Sequence, residues 1–129
     1  KVLKNILLVE DSLLIKRALS FRLKHYGYHI FHASNGKEAI GILENNRIDL
    51  ILTDLIMPEV SGEDFLEYVF NHEYEIPCLV LSSITEETTI TKLLDRGIVD
   101  YITKPFRPEE IHLRIRRALG TYKFEKSIS

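Results

Sequence analysis

The chain alternates short, continuous apolar runs with segments whose apolar residues recur every three or four positions. A continuous apolar run is typical of a strand buried on both faces, and the three-to-four spacing is typical of a helix with one face on the core. Five runs are predicted to be strands, at about residues 6–9, 28–33, 50–53, 78–81 and 101–103. Five helices are predicted to follow them in turn, at about residues 13–26, 35–46, 63–71, 85–97 and from 108 onward.

Capping residues and apolar stripes support these helices. Ser12 is placed to cap the first helix and Gly27 to end it, and Ile15, Leu19 and Leu23 recur on its inner face. The inward residues predicted for later helices are Ala39, Ile42, Leu43, Phe65, Leu66, Val69, Ile111, Ile115, Ala118 and Leu119. Short parallel strands need helical crossovers, so the pattern predicts an α/β fold: a three-layer, doubly wound (βα)5 parallel sheet of five strands.

Composition narrows the class of protein. The 129 residues suit one domain, and the lone cysteine, Cys78, excludes a disulfide framework and is typical of a reducing, cytoplasmic compartment. No apolar run approaches the roughly 18 residues of a membrane span, and no signal peptide is visible. A net charge of −2 argues against a general nucleic-acid binder, and no DNA-binding motif is present. We therefore expect no membrane and no direct nucleic-acid partner.

Charge and histidines add little to this picture. Residues 104–129 contain 7 basic and 3 acidic side chains, which favours a solvated basic face on the last helix over a polyanion site. The five histidines show no metal-ligand spacing and are predicted to lie on the surface. Cys78 is predicted to pack inside its strand as a small apolar residue.

Chemistry-bearing residues follow the predicted strands where each one ends. They are Glu10 and Asp11, Asp54, Ser82 with Ser83, and Lys104. In a parallel sheet these positions share the carboxyl edge, where ligands bind. Three carboxylates placed together repel one another unless a cation intervenes, and an all-oxygen set suits a hard cation, Mg²⁺ above all. An amine at the same edge supplies a fixed positive charge that can hold an anion.

Four segments carry a resemblance to a known family. In sequence order and at strand ends they are ILLVEDS (6–12), LILTDLIMPEVSG (50–62), LVLSS (79–83) and DYITKPF (100–106). With them the chain resembles, over about residues 4–120, the receiver domains of two-component response regulators, which have the chemotaxis-type flavodoxin-like fold.

The resemblance implies a phosphorylation site at Asp54. That residue would accept a phosphoryl group from the phosphohistidine of a histidine kinase or a phosphotransfer protein. Glu10, Asp11 and Asp54, together with the backbone carbonyl of Ile56, would bind the Mg²⁺ that the reaction requires. Positioning and charge neutralisation are the main needs of phosphoryl transfer, so this donor set is chemically reasonable. The domain would not be an enzyme acting on other molecules; it would catalyse only its own phosphorylation and dephosphorylation.

The resemblance also implies a switch. The Ser82 hydroxyl and the Lys104 amine would contact the phosphoryl oxygens, and Ser82 would move inward with the ring of Tyr101 following it. This two-state change would reshape the surface of the fourth helix, the fifth strand and the last helix to control an output. The bond between Lys104 and Pro105 is expected to be cis, which would direct Lys104 into the site.

Departures from the family pattern lead to further expectations. Ile98 and Val99 replace the small and acidic residues often found there, so we expect a monomer or a weak, phosphorylation-dependent homodimer. Ile56 and Ile84 are apolar where a residue would orient an attacking water, which predicts a long-lived phosphoryl group.

Residues 1–122 are predicted to form the receiver domain, and residues 123–129 a tail or a linker to an output domain.

Three alternative functions fit the sequence less well. A phosphatase of the haloacid dehalogenase type needs a second aspartate two residues after the nucleophile, where this chain has Ile56. A flavodoxin-like cofactor binder needs a first loop rich in backbone donors, where this chain has the carboxylates of VEDSLL. A degenerate receiver that only binds proteins is disfavoured by the intact acidic set.

Overall fold

The structure is a computed structural model that describes the backbone of residues 3–128 and the side chains of residues 3–120. Within these residues, five strands alternate with five helices. The strands are β1 Asn5–Val9, β2 His29–Ala33, β3 Leu50–Thr53, β4 Cys78–Ser82 and β5 Asp100–Thr103. The helices are α1 Leu13–His25, α2 Gly36–Asn45, α3 Gly62–Asn71, α4 Glu87–Arg96 and α5 Pro108–Ile128.

The strands form one parallel sheet in the order β2-β1-β3-β4-β5. Because the order reverses direction after β2, strands β1 and β3 lie side by side at the centre of the sheet. Parallel pairing requires each connection to cross a face of the sheet, and each crossover here is a helix. The predicted doubly wound α/β fold is therefore confirmed.

Alternate residues of the central strands face two separate apolar cores. On one face Leu7, Val9, Ile51 and Val80 pack with apolar residues of α2, α3 and α4. On the other face Ile6, Leu8, Leu50, Leu52, Leu79, Leu81 and Ile102 pack with residues of α1 and α5. Strands that are buried on both faces account for the unbroken aliphatic runs in the sequence.

The boundaries differ from the predicted ones by a few residues. β4 includes Ser82 and β5 begins at Asp100, so both strands are longer than predicted. The α5 backbone runs to Ile128, across the predicted boundary between residues 122 and 123; that division of the chain stays a prediction. Among the residues predicted to face inward, Ile15, Ile42 and Leu119 are only half-buried, because each lies at the margin of its helix's apolar stripe.

The structure also bears on the predictions made for Cys78, for the histidines and for membrane-spanning segments. Cys78 is 1% exposed, as predicted, and burial raises the pKa of its thiol to about 12. Four of the five histidines are exposed, but His112 is half-buried because its ring stacks on Tyr26, with 3.8 Å between ring centroids. None of the described helices is both long and apolar enough to cross a membrane.

Candidate functional site

The central pair of strands places two acidic residues side by side at the carboxyl edge of the sheet. Val9, the last residue of β1, pairs with Thr53, the last residue of β3. The next residue of each strand is acidic, Glu10 after β1 and Asp54 after β3. The two side chains are buried, with exposures of 1% and 6%. Strand order and register thus bring together two carboxylates that are far apart in the sequence.

Asp54 is restrained by its own backbone surroundings. Its N–H donates to the Val9 carbonyl at 2.9 Å, and its Oδ1 accepts the N–H of Leu55 at 2.7 Å. The buried hydroxyl of Thr53 donates to the Asp54 carbonyl at 2.8 Å. The N–H, the carbonyl and Oδ1 of Asp54 thus each have their own hydrogen-bond partner in the backbone or in Thr53. Oδ1 is therefore held toward the backbone, and the other carboxylate oxygen, Oδ2, faces the site.

Gly62, the first residue of α3, lies directly against the backbone of Asp54. A Cβ built on Gly62 would overlap the Asp54 carbonyl oxygen and lie 2.6 Å from the Cα of Leu55. The Gly62 N–H donates to the Leu55 carbonyl at 2.9 Å. The helix therefore approaches the acidic residue more closely than any side chain at position 62 would allow.

Lys104 joins the two carboxylates from the end of β5. Its Nζ lies 3.0 Å from Glu10 Oε1 and 3.0 Å from Asp54 Oδ2. Burial by itself favours the neutral amine, but the hydrogen bonds to Asp54 and Glu10 outweigh it and raise the pKa of Lys104. The ammonium therefore stays charged where a buried amine would otherwise tend to lose its proton.

Three carboxylates at this edge form a candidate metal site. Oxygens of Glu10, Asp11 and Asp54 all lie within 4.8 Å of one another, with Asp11 exposed to solvent. Burial raises the pKa of Glu10, and hydrogen bonds from the Ser12 N–H (3.0 Å) and from Lys104 oppose that rise. A buried carboxylate among like charges is stabilised by a nearby cation, so this all-oxygen set is able to hold a metal ion.

Ser82 and Tyr101 are connected through the backbone of Ile84. The Ser82 side chain is fully buried, and its Oγ accepts the N–H of Ile84 at 3.2 Å. The half-buried Tyr101 donates its hydroxyl to the Ile84 carbonyl at 2.6 Å. Burial raises the pKa of Tyr101, so the phenol stays protonated as this donation requires. Both residues therefore bond to the same peptide segment between β4 and α4.

Most residues predicted from strand ends converge in the structure. Glu10, Asp11, Asp54 and Lys104 form one cluster, and the Lys104–Pro105 bond is cis as expected. The side chain of Ile56 is 60% exposed, two residues beyond Asp54.

Two residues with a role at the site were missed from the sequence, Thr53 and Gly62. Thr53 gave a signal, since it is a hydroxyl residue that ends an otherwise aliphatic strand. Gly62 lies inside the quoted segment 50–62, but its close contact with Asp54 depends on how α3 packs.

Comparison with known proteins agrees with this arrangement. A model of the response regulator receiver domain matches residues 6–116. The response regulator SaeR of Staphylococcus aureus is 34% identical over 92% of this chain and 52% of its own length. The chain spans about half the length of the first curated relatives it matches.

Solved structures show the same fold. A CheY-like response regulator receiver domain protein from Methanospirillum hungatei JF-1 is similar with a TM-score of 0.90 and 25% identity, covering 96% of this chain and 99% of that one. The chemotaxis protein CheY4 of Vibrio cholerae is similar with a TM-score of 0.84 and 28% identity, covering 91% of this chain and 99% of that one.

The sheet order and the acidic edge define a doubly wound α/β protein whose site lies at the carboxyl ends of β1, β3 and β5. The match over residues 6–116 makes the class specific: the chain belongs to the response regulator receiver domain family. It is therefore a signalling module with an acidic cluster able to bind a metal. Family membership decides against the flavodoxin-like cofactor binder and the dehalogenase-type phosphatase.

Proposed function

We propose that this chain is a phosphorylation-dependent switch in which Asp54 accepts a phosphoryl group from the phosphohistidine of a partner histidine kinase or phosphotransfer protein. The observation that carries the proposal is the bridge from Lys104 to both Asp54 and Glu10, with Nζ 3.0 Å from one oxygen of each. An ammonium fixed beside a buried carboxylate neutralises charge on the phosphoryl oxygens as transfer proceeds.

The reaction needs few parts, and this chain supplies most of them. An oxygen of Asp54 forms the new bond to phosphorus while the bond from phosphorus to the donor's imidazole nitrogen breaks, and the imidazole leaves with that electron pair. Glu10, Asp11, Asp54 and the carbonyl of Ile56 would hold Mg²⁺, which when bound neutralises charge on the phosphoryl oxygens. The Leu55 N–H at 2.7 Å from Oδ1 keeps the carboxylate oriented throughout.

The direct test is phosphorylation by acetyl phosphate with Mg²⁺, followed by intact-mass measurement. We expect the wild-type chain to gain the mass of one phosphoryl group and Asp54→Asn to gain none. Asp64→Asn removes an exposed carboxylate of α3 and is the matched control, expected to behave as the wild type. A wild-type chain that neither gains mass nor responds to beryllofluoride with Mg²⁺ would refute the proposal.

Ser82 and Tyr101 would transmit the modification to the surface. A Ser82 hydroxyl that turns toward the phosphoryl group gives up the Ile84 N–H, while Tyr101 remains bonded to the carbonyl of the same residue. We expect beryllofluoride with Mg²⁺ to shift amide resonances of α4, β5 and α5 in the wild type. Ser82→Ala should leave those resonances largely unshifted, and Tyr101→Phe should reduce the shifts; full wild-type shifts in both variants would refute this role.

The phosphoryl group on Asp54 would be long-lived. Ile56 is 60% exposed and Ile84 is half-buried, and neither side chain has a polar group to orient an attacking water. We expect Ile56→Asn and Ile84→Glu each to shorten the lifetime about tenfold, less than the roughly 10²–10⁴-fold that a positioned general acid or base contributes, because the new groups would only orient the water. Ile56→Val is the apolar control, and lifetimes unchanged in all three variants would contradict the idea.

Partners and output follow from the same proposal. The upstream partner is a histidine kinase or a phosphotransfer protein, and the output is an attached domain or a separate protein in the cytoplasm. A monomer or a weak, phosphorylation-dependent homodimer remains our expectation. Sedimentation of the chain with and without beryllofluoride measures the oligomeric state directly.

A further inference from the structure

Thr53 places a hydroxyl in a row of apolar side chains. In the register of the sheet it lies between Val9 of β1 and Val80 of β4, and all three residues have an exposure of 0%. A valine would fit this row at least as well, because a buried hydroxyl is destabilising unless it forms a hydrogen bond. The hydroxyl therefore adds nothing to the packing of the row, and any contribution it makes comes from the group that it binds.

The group that the Thr53 hydroxyl binds is the carbonyl of Asp54. Oγ1 donates to it at 2.8 Å, and this carbonyl belongs to the peptide unit that joins Asp54 to Leu55. The other polar end of the same peptide unit is the Leu55 N–H, which donates to Oδ1 of Asp54 at 2.7 Å. Because a peptide unit is planar, its carbonyl and its N–H turn together. Through this one rigid unit, Thr53 restrains the N–H that holds the Asp54 carboxylate.

The same peptide unit also lies against the first residue of α3. A Cβ built on Gly62 would overlap the Asp54 carbonyl oxygen and lie 2.6 Å from the Cα of Leu55. The Gly62 N–H donates to the Leu55 carbonyl at 2.9 Å, so the next peptide unit is bonded as well. Contact with α3 limits how far the Asp54–Leu55 unit can turn, and the Thr53 hydroxyl fixes its orientation within that limit.

The orientation of the Asp54 carboxylate matters because the rest of the site is arranged around it. Its Oδ2 lies 3.0 Å from Lys104 Nζ, and oxygens of Glu10, Asp11 and Asp54 lie within 4.8 Å of one another. A carboxylate that turns about its side-chain bonds loses the contact with Lys104 and the grouping of oxygens together. A misplacement of about 1 Å can slow a catalysed step by roughly 10²-fold. A group that holds the carboxylate in place therefore contributes to the rate of phosphoryl transfer.

We propose that Thr53 is a positioning residue for phosphoryl transfer: its hydroxyl fixes the Asp54–Leu55 peptide unit, and that unit fixes the Asp54 carboxylate beside Lys104. Thr53 is fully buried in the sheet and acts through the peptide unit, not on the phosphoryl group itself. The inference rests on the proposed function, since it concerns the rate at which Asp54 is phosphorylated. It also makes a structural claim about the Leu55 N–H that needs no phosphoryl donor.

Two substitutions separate the hydroxyl of Thr53 from its methyl group. Thr53→Val removes the hydroxyl and keeps the shape, whereas Thr53→Ser keeps the hydroxyl and removes the methyl group. Ile115→Val is the control for lost stability, because it deletes a methylene group from the core on the opposite face of the sheet, where Ile115 is fully buried. Urea denaturation measures how far each variant is destabilised, and an amide spectrum verifies that each one folds.

The first measurement is hydrogen exchange of two neighbouring amides in the free chain, expressed as protection factors. The Leu55 N–H belongs to the restrained peptide unit, whereas the Asp54 N–H belongs to the preceding unit and donates to the Val9 carbonyl at 2.9 Å. We expect Thr53→Val to lower the protection of Leu55 about tenfold relative to that of Asp54, the effect of losing one ordinary hydrogen bond. Thr53→Ser and Ile115→Val should leave the ratio close to that of the wild type. An unchanged ratio in Thr53→Val would overturn the proposal.

The second measurement is the rate of phosphorylation by acetyl phosphate with Mg²⁺, followed by intact mass. We expect Thr53→Val to react about tenfold more slowly than the wild type, and Thr53→Ser and Ile115→Val to react at close to the wild-type rate. A Thr53→Val chain as fast as the wild type, a Thr53→Ser chain as slow as Thr53→Val, or rates that simply follow stability would each overturn the proposal. A wild-type chain that gains no phosphoryl group would refute the proposed function, and the exchange of Leu55 alone would then decide whether Thr53 orients the carboxylate.

Discussion

Helices α3 and α4 are neighbours on one face of the sheet and have ten residues each, yet the protein holds them very differently. α3 buries Gly62, Phe65, Leu66 and Val69, whereas α4 buries only Leu93. Burial of apolar surface is the main source of helix stability in a protein, at about 25 cal/mol per Å². α3 is therefore much more firmly attached to the sheet than α4.

The N-termini of the two helices differ in the same sense. The Ser61 hydroxyl caps α3 by accepting the Asp64 N–H at 3.2 Å, but Glu86 makes no side-chain cap for α4. A side-chain cap satisfies a backbone N–H that has no partner in the helix, and its absence favours fraying of the first turn.

The difference in burial and capping between α3 and α4 corresponds to their positions relative to the site. Gly62 of α3 packs on the backbone of Asp54, so a rigid α3 keeps the Asp54 carboxylate in place. α4 follows the Ser82–Ile84 segment to which Tyr101 is bonded. Elements that move in a switch belong to the least stable part of a fold, and α4 has that character. Unequal burial thus makes the fold firm beside Asp54 and loose in the helix that follows Ser82.

The largest expected effect comes from truncating one core residue in each helix. Phe65→Ala should lower the free energy of unfolding by about 3–5 kcal/mol, because Phe65 is fully buried among well-packed neighbours. Leu93→Ala should cost about 2 kcal/mol, the low end for such a change, since a loosely held helix can close the cavity. Urea denaturation measures both values. Equal losses would contradict the contrast between the two helices.

The next effect tests the contact between α3 and Asp54. Gly62→Ala should lower the free energy of unfolding by about 3 kcal/mol, the upper part of the range for overpacking, since backbone atoms block the new methyl group. Gly41→Ala is the matched control: nothing lies within 4 Å of its added Cβ, so it should gain about 0.5–1 kcal/mol in helix α2. Gly62→Ala should also weaken beryllofluoride binding, and a stable variant with normal binding would remove Gly62 from the site.

The sequence predicted much of this fold for a clear physical reason. Strands buried on both faces appear as aliphatic runs, and the carboxyl-edge rule then groups Glu10, Asp54 and Lys104 without any knowledge of distances. The structure places those three side chains in direct contact. The apolar pattern and the position at the sheet edge were enough to predict this cluster, because each of these residues directly follows a strand.

Features that depend on how elements pack could not be predicted in this way. The contact of Gly62 with the Asp54 carbonyl depends on the position of α3 over the sheet. The half-burial of His112 depends on Tyr26, which directly follows α1 and is far away in sequence. The unequal burial of α3 and α4 could not be predicted from the sequence either, because both segments show helical periodicity. Periodicity reports that an apolar face exists and does not report how deeply it is buried.

A smaller effect is expected at the helix caps. Ser61→Ala should lower the free energy of unfolding by about 1 kcal/mol, whereas Glu86→Ala should change it little, since Glu86 makes no side-chain cap. Glu86→Ser should instead supply the missing cap and gain up to about 1 kcal/mol locally. Hydrogen exchange of α4 amides, which should slow in Glu86→Ser alone, distinguishes this from a global change. Faster or unaltered exchange in α4 would show that its first turn is already secured.

The smallest effect concerns the surface contact that joins the two helices. Arg96 of α4 donates to both carboxylate oxygens of Glu67 of α3, at 2.7 and 2.9 Å, and these bonds lower the pKa of Glu67 below its ordinary value of 4.5. A carboxyl group whose pKa is lowered by folding stabilises the folded state above its unfolded pKa, and loses that contribution as the pH falls through its folded pKa.

Arg96→Gln should therefore raise the pKa of Glu67 toward 4.5, as measured by NMR titration of the side-chain carboxyl resonance. Arg116→Gln is the control, because Arg116 lies on α5 away from this pair. At neutral pH and low salt, the Arg96 variant should exchange its α4 amides faster, while α3, held by four buried residues, should not change. If α3 and α4 respond equally, the ion pair stabilises the fold as a whole, and α4 is not the separately held element that its single buried side chain indicates.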